Sequence, residues 1–146
     1  MTSAPSPHLE VRVPTLLDVV RPVRKVVEAL LQSAGWSEDD AADAGLVVTE
    51  VVQNAVEHGS RADGGELVTV RGGMVGDVLE LDVEDPGSGK GPASLIDRDV
   101  TVPPPADSSR GRGLYLVHRL SEHFDRRRTA TGGSVVRVCL RPAAAS

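Results

Sequence analysis

The feature that most restricts the fold is a long stretch, Ser37 to His58, whose apolar residues recur with the period of an amphipathic helix. Ser37 is a suitable N-cap for the backbone N–H of Asp40, and Glu38 and Asp39 suit the positive end of the helix dipole. The apolar face consists of Ala41, Ala44, Val48, Val51, Val52 and Ala55. A helix with one broad apolar face needs a second layer to cover it, which predicts a layered fold.

The residues before this helix predict a strand and a first helix. Residues His8–Val13 alternate polar and apolar side chains, as in a strand, and residues 1–7 are expected to be disordered. Thr15 resembles the cap of the first helix, although Pro22 moves the expected start nearer to Arg21, where proline is tolerated. Gly35 is expected to end this helix.

The second half of the chain predicts two hairpins separated by a long loop. Residues Leu67–Val75 and Val78–Val83 read as strands joined at Gly76 and Asp77. The remaining expected elements are a helix from Gly113 to about Glu122 and strands Phe124–Arg128 and Val135–Leu140, joined by the turn Thr131–Ser134. We therefore predict one α/β (α+β) domain over residues 1–146, a two-layer sandwich of a mixed, mainly antiparallel sheet with helices on one face.

Composition excludes several classes of function. The 146 residues carry a formal charge of −5 and only one Phe, one Tyr and one Trp, which argues against nucleic acid as a direct partner. The lone Cys139, predicted to be a small core residue, has no second cysteine for a disulfide or a typical zinc site. Neither a secretory signal nor a membrane-spanning stretch is recognisable, so we expect a soluble, cytoplasmic protein.

Glu50 and Asn54 form the first candidate site. They are four residues apart on the polar side of the long helix, so their side chains project from the same face. The Asn54 carbonyl suits Mg²⁺, and the Glu50 carboxylate can orient or deprotonate a hydroxyl that attacks a γ-phosphate. A solvated polar face explains the same pattern without any site.

The run Asp85–Gly89, Asp-Pro-Gly-Ser-Gly, is the second candidate and begins where a predicted strand ends. Asp85 can accept a hydrogen bond from an exocyclic amine such as that of adenine, and Gly87 and Gly89 let the backbone approach a ligand closely. Ordinary turn chemistry accounts for this run equally well.

The third candidate is Gly111-Arg112-Gly113-Leu114, where the long loop Pro86–Arg110 meets a predicted helix start. Backbone N–H groups at such a junction can hold phosphate, and the loop has the length of a functional lid. The spacing matches neither the P-loop nor the dinucleotide fingerprint. A glycine-rich helix entry is the alternative.

Taken together, these motifs resemble a known family. Glu50-x-x-x-Asn54-Ala55-x-x-His58-Gly59, Asp85-x-Gly87-x-Gly89 and Gly111-x-Gly113-Leu114 resemble the asparagine box and the two glycine boxes of the GHKL ATPase superfamily. The short single-domain format is most similar to the bacterial anti-sigma factor serine/threonine kinases. Ser134 departs from the family, in which a threonine usually follows the paired glycines.

The resemblance implies roles for the residues that match these motifs. Asn54 would hold Mg²⁺, Asp85 would read the adenine amine of ATP, and Glu50 would be the catalytic base. The pocket and lid would be completed by Gly87, Gly89, Gly111, Arg112, Gly113, Leu114 and Ser134.

The resemblance also implies a function. Proteins of this kind usually act as homodimers, sequester a sigma factor and phosphorylate a serine or threonine of an anti-anti-sigma (STAS-type) antagonist. A non-catalytic module of the same fold, in which ATP only stabilises a binding conformation, is the alternative. A histidine-kinase-like ATPase domain without its own phosphoacceptor domain is a third possibility.

Overall fold

The computed structural model describes residues 8–61, 63–88 and 117–143. Over these ranges the chain forms a sheet and two long helices, with a short 3-10 turn at Leu17–Val19. The strands are β1 (His8–Pro14), β2 (Leu67–Val75), β3 (Val78–Asp85), β4 (His123–Arg128) and β5 (Ser134–Leu140). The helices are α1 (Val20–Ser33) and α2 (Glu38–Gly59). Residues 117–120 are also helical, as predicted.

The strands form one sheet in the order β1-β2-β3-β5-β4. Each of its four pairings is antiparallel. The two predicted hairpins, β2–β3 and β4–β5, lie side by side in the sheet and are joined by the pairing of β3 with β5. The predicted α/β sandwich with a mainly antiparallel sheet is therefore confirmed, and the strand pairs seen in the described ranges are all antiparallel.

The core lies between the sheet and the two helices. Alternation along the strands sends valine, leucine and methionine side chains towards the helices. The sheet side of the core includes Val68, Val70, Met74, Leu79, Leu81, Val83, Val138 and Leu140. The opposite face of the sheet is open and charged, with Arg137 hydrogen-bonded to Asp82 at 2.7 and 2.9 Å. Burial on one face only fixes the register of every strand.

Both predicted helix ends around the α1–α2 connection are confirmed. The Ser37 hydroxyl accepts the N–H of Asp40 at 3.1 Å and caps α2. Gly35 follows the end of α1 with a φ of 96°, and its N–H donates to Gln32 O at 3.0 Å. The N–H of Trp36 donates to Leu31 O at 3.0 Å, which completes a Schellman motif. The left-handed conformation of this motif explains the glycine.

The predicted cap at Thr15 is wrong. Thr15 is fully buried, and its N–H donates to Glu66 O at 3.1 Å. It therefore joins the residue after β1 to the residue before β2. A 3-10 turn separates it from α1, which begins at Val20 after an uncapped Val19. Pro22 lies in the first turn of α1, as the revised start predicted.

Two details of the sheet also differ from expectation. Strand β3 continues past Val83 to Asp85, because Asp85 pairs with Ser134 across β5. The prediction that Cys139 is a core residue is wrong: it lies half-buried on the open face, opposite Glu80. The alternation of β5 sends Val138 towards the helices and therefore Cys139 away from them.

No helix within the described ranges has the length and apolar character needed to cross a membrane. The expectation of disorder for residues 1–7, and most of the predicted lid, fall outside the described residues.

Candidate nucleotide-binding site

Helix α2 carries the first two candidate residues on one face. Glu50 and Asn54 are both half-buried, whereas Asp43 and Glu57 on the same polar side of the helix are exposed. The polar side of α2 is thus not uniformly solvated. The partial burial of this pair favours a site over a purely solvated face.

The carboxyl group of Glu50 has a raised pKa. Burial is the larger cause, because it disfavours the charged form, and the negative charge of Glu57 adds to it. A carboxylate with a raised pKa is a stronger base than an ordinary glutamate. This property suits Glu50 to accept a proton from a hydroxyl group.

The end of α2 lies directly against the end of β3. The Cβ of any residue other than glycine at Gly59 would overlap the side chain of Asp85. The N–H of Gly87 donates both to Gly59 O at 2.8 Å and to Asp85 Oδ1 at 2.9 Å. Helix, strand and the Asp-Pro-Gly turn therefore meet at one point, with Asp85 at its centre.

Ser134 lies opposite Asp85 across the β3–β5 pairing. The polar backbone and hydroxyl groups of Ser134 favour the charged form of the Asp85 carboxyl group and so lower its pKa, against the effect of burial. Gly133 packs against the backbone carbonyl of Asp85, where a Cβ would collide. Ser134, predicted to be part of the site, is thus brought next to Asp85 by strand pairing.

Gly87 is required for two reasons. Its φ of 78° lies in the left-handed region, and a Cβ at this position would overlap the backbone of Gly132 and Gly133. The β4–β5 hairpin therefore closes directly over the turn after Asp85. Glycine at position 87 is explained by contact with protein backbone.

Burial raises the pKa of Asp85 to about 6, against the opposing effect of the hydrogen bonds from Gly87 and Ser134. A carboxylate has about four acceptor positions, and the N–H of Gly87 occupies one of them at 2.9 Å, which leaves room for a further donor. An amine such as that of adenine can take this position. Asp85 is therefore a fixed, partly desolvated acceptor.

Asn54 is the candidate metal ligand. Within the described ranges, no residue forms a hydrogen bond with its side chain, so its amide oxygen is available to a cation. Mg²⁺ is commonly held by one or two protein oxygens together with phosphate oxygens and water. The chemistry of Asn54 fits this pattern.

The three candidate positions follow one another along α2. Gly59, which contacts Asp85, is five residues from Asn54, a separation of about 7.5 Å along the helix at 1.5 Å per residue. Glu50 lies four residues further, about 6 Å beyond Asn54. The acceptor, the candidate metal ligand and the candidate base are thus arranged in series.

The remaining predicted site residues are Gly89, Gly111, Arg112, Gly113 and Leu114, which lie outside the described residues. The predicted phosphate cradle and lid therefore stay predictions. Conversely, the roles of Gly59 and Gly133 against Asp85 were not predicted. Their glycines were visible in the sequence, but the residue that each approaches depends on the tertiary fold.

A shallow depression of about 540 Å³ lies on the open face of the sheet, on the side away from α2. Its lining includes Arg71, which is 3.5 Å from Glu10, and Arg137, which is bonded to Asp82. None of the described candidate residues lines it. These charges neutralise one another across neighbouring strands, and the depression is separate from the candidate site.

Comparison with known proteins decides the family. The model of the histidine kinase-like ATPase domain matches residues 13–140, almost the whole chain. The chain belongs to this family. The resemblance to GHKL ATPases noted in the sequence is therefore confirmed.

Among curated relatives, this histidine kinase-like ATPase is similar to serine-protein kinases named RsbW. It is 31% identical over 124 residues to the Bacillus licheniformis protein, covering 79% of this chain and 74% of the relative. It is 27% identical over 118 residues to the Bacillus mycoides protein, covering 78% and 73%. The sequence similarity thus lies with proteins named serine-protein kinases.

Solved structures confirm the fold of this ATPase domain. A Mycobacterium tuberculosis protein with RsbU and RsbW domains matches with a TM-score of 0.68 and 24% identity, over 94% of this chain and 33% of that one. The SiaB–SiaC complex of Pseudomonas aeruginosa matches with a TM-score of 0.60 and 17% identity, over 90% and 88%.

Proposed function

We propose that this protein is an ATP-dependent serine/threonine kinase that phosphorylates a small antagonist protein and sequesters a sigma factor. The observation that carries the proposal is the series Asp85, Asn54 and Glu50 along α2. Adenine, phosphates and acceptor hydroxyl follow one another in the same order in a bound Mg-ATP and its phosphate acceptor. The family and the RsbW relatives agree with this reading.

Asp85 selects adenine in this proposal. Its carboxylate accepts a hydrogen bond from the exocyclic amine. The N–H of Gly87 and the pairing of Asp85 with Ser134 in the sheet keep it in position. Guanine carries a carbonyl oxygen in place of that amine and would meet the carboxylate with an acceptor. The site therefore prefers ATP to GTP.

Glu50 acts as the base. It takes the proton from a serine or threonine hydroxyl of the antagonist, whose oxygen forms a bond to the γ-phosphorus. The bond from that phosphorus to the β–γ bridging oxygen breaks, and ADP leaves. The raised pKa of Glu50 supports this role.

Mg²⁺ held by Asn54 supplies positive charge that neutralises the phosphate oxygens when it is bound. The amide of Asn54 suits this role because it adds an oxygen ligand without adding a negative charge beside the triphosphate. We also place Gly89, Gly111, Arg112, Gly113 and Leu114 around the phosphates, as their motifs indicate.

Phosphorylation and sigma-factor binding are proposed to be alternatives. The unmodified antagonist competes for the kinase and releases the sigma factor, and the phosphorylated antagonist no longer binds. We propose a cytoplasmic homodimer of a single-domain chain as the working unit. Sedimentation analysis tests the dimer, since a monomeric mass at micromolar concentration would contradict it.

The decisive experiment incubates the protein with γ-labelled ATP and a candidate STAS-type antagonist, followed by mapping of the label. The expected result is one labelled serine or threonine on the antagonist, and none with the Glu50→Gln variant. Label that never reaches any antagonist, together with ATP-dependent capture of a sigma factor, would instead support the non-catalytic binding module.

A further inference from the structure

Glu66 forms a contact outside the motifs described above. Its carboxylate oxygen Oε1 accepts a hydrogen bond from the hydroxyl of Ser88, although the two residues are far apart in the chain. The side chain of Glu66 is only 20% exposed. Ser88 immediately follows Gly87, so this contact reaches the turn that contains Asp85.

The backbone of Glu66 is fixed independently of this contact. Its carbonyl accepts the N–H of Thr15 at 3.1 Å, and the next residue, Leu67, begins β2 by pairing with Pro14. Glu66 is thus anchored at the start of a strand. A hydrogen bond from Ser88 to this side chain ties the turn to the rigid part of the fold.

Arg61 lies on the other side of Glu66. Its Nε is 3.5 Å from Glu66 Oε1 and 3.8 Å from Asp63 Oδ2. Because Arg61 is 58% exposed, this ion pair contributes little stability by itself. It does place a positive charge beside the oxygen that accepts from Ser88.

The turn after Asp85 is therefore held at two points, by the last residue of α2 and by the segment that follows it. The first is the backbone bond from Gly87 N to Gly59 O, which depends on the two glycines and involves no side chain. The second is the side-chain bond from Ser88 to Glu66, which requires these two residue types. The second tether is a specific property of this chain.

We propose that Glu66 is a positioning residue for the adenine end of the nucleotide site, which it orders by holding the Asp85–Ser88 turn through the Ser88 hydroxyl. This inference rests on the proposed ATP-binding function. Without Glu66 the turn must be ordered when the nucleotide binds, and the entropy lost at that point weakens binding. Glu66 touches neither phosphate nor acceptor, so the transfer rate at saturating ATP is unaffected.

The test compares five variants: Glu66→Ala, Glu66→Gln, Ser88→Ala, the double variant of Glu66→Ala with Ser88→Ala, and the control Asp63→Asn. Asp63 lies in the same loop and contacts Arg61 but not Ser88, and asparagine keeps an acceptor for the N–H of Gly65. Calorimetry measures the affinities for ADP and ATP. Amide hydrogen exchange measures the order of Gly87 and Ser88 in the nucleotide-free protein.

The inference expects Glu66→Ala and Ser88→Ala each to weaken ADP and ATP binding by about fivefold, equally for both nucleotides. The double variant should be no weaker than either single variant, because both remove the same bond. Glu66→Gln keeps an acceptor for the Ser88 hydroxyl and should therefore retain most of the wild-type affinity for ADP and ATP. Asp63→Asn should bind like the wild type.

The exchange experiment separates this inference from the proposed function. Faster exchange at Gly87 and Ser88 in Glu66→Ala, but not in Asp63→Asn, supports the tether even before nucleotide is added. Equal exchange in the two variants, or additive losses of affinity, would overturn it. A wild-type protein that binds no adenine nucleotide would overturn the proposed function instead.

Discussion

Gly59, the last residue of α2, packs directly against the side chain of Asp85, the last residue of β3. The helix that carries Glu50 and Asn54 is thereby brought into register with the strand that carries the candidate adenine acceptor. A single glycine sets the distance between the two halves of the site. This relationship leads to the first prediction.

Gly59→Ala should weaken ATP binding by about tenfold or more. The added methyl group would displace the Asp85 carboxylate, and the proposed hydrogen bond from adenine depends on the position of that carboxylate. Calorimetry with ATP measures the affinity. In an Asp85→Asn background the same substitution should have little further effect, since the two changes act on one interaction. Additive losses would mean that Gly59 acts elsewhere, for instance on helix α2 as a whole.

Nucleotide binding should depend on the protonation of Asp85, whose pKa burial raises to about 6. Adenine recognition needs the carboxylate, so affinity should fall as the pH drops below 6, approaching about tenfold per pH unit. Titration of ATP affinity between pH 5 and about 8 checks this. Asp85→Asn should flatten that dependence and reduce the preference for ATP over GTP, and an unchanged preference would exclude adenine reading by Asp85.

The same pKa predicts how stability varies with pH in the nucleotide-free protein. The folded-state pKa of Asp85 is raised above the ordinary value of 3.8, so the folded state binds the proton more tightly than the unfolded state. The free energy of unfolding contributed by Asp85 should therefore decrease as the pH rises from about 4 to about 6. Relative to Asp85→Asn, a decrease of roughly 1–2 kcal/mol is expected after allowance for partial exposure, and urea unfolding at both pH values measures it.

The layers and the helix ends at the α1–α2 connection could be predicted from the sequence. The period of α2, its Ser37 cap and the Gly35 stop are local signals, and each is confirmed. Apolar alternation likewise predicted the two hairpins. These features depend on contacts between residues close in sequence, which a pattern of residue types records directly.

The contacts that build the site could not be predicted, because they join residues distant in the chain. Asp85 was expected beyond its strand, but pairing with Ser134 extends β3 to include it. Thr15 has the composition of a cap, yet its burial against the start of β2 gives it another role. Cys139 was predicted to lie in the core, but it lies on the open face of the sheet. The apolar residues of its strand do not indicate which face the cysteine occupies.

Glu50→Gln should leave ATP affinity within about twofold of the wild type while lowering the transfer rate to the antagonist by at least about 100-fold, as loss of a general base does. Single-turnover transfer with labelled ATP measures the rate. A transfer rate equal to that of the wild type would exclude Glu50 as the base.

Glu57→Gln is the matched change for Glu50, since it alters a carboxylate two turns along the same helix. The charge of Glu57 contributes to the raised pKa of Glu50, after burial. Removing that charge should lower the pKa of Glu50 and move the acidic limb of the rate profile to lower pH, with the maximal rate retained. If the acidic limb of the rate profile lay at the same pH in Glu57→Gln and in the wild type, a group other than Glu50 would control it.

Asn54→Ala should weaken ATP binding mainly when Mg²⁺ is present. The alanine variant loses the amide oxygen that Asn54 offers to the cation, whereas the proposed contact between adenine and Asp85 is preserved. Calorimetry with and without Mg²⁺ should show a loss of about tenfold in its presence and little change in its absence. The neighbouring Gln53→Ala is the control, because Gln53 donates to Glu57 at 3.2 Å and lies about 100° around the helix. If both variants kept the full Mg²⁺ dependence, the cation would be held by phosphate and water alone, and Asn54 would be no ligand.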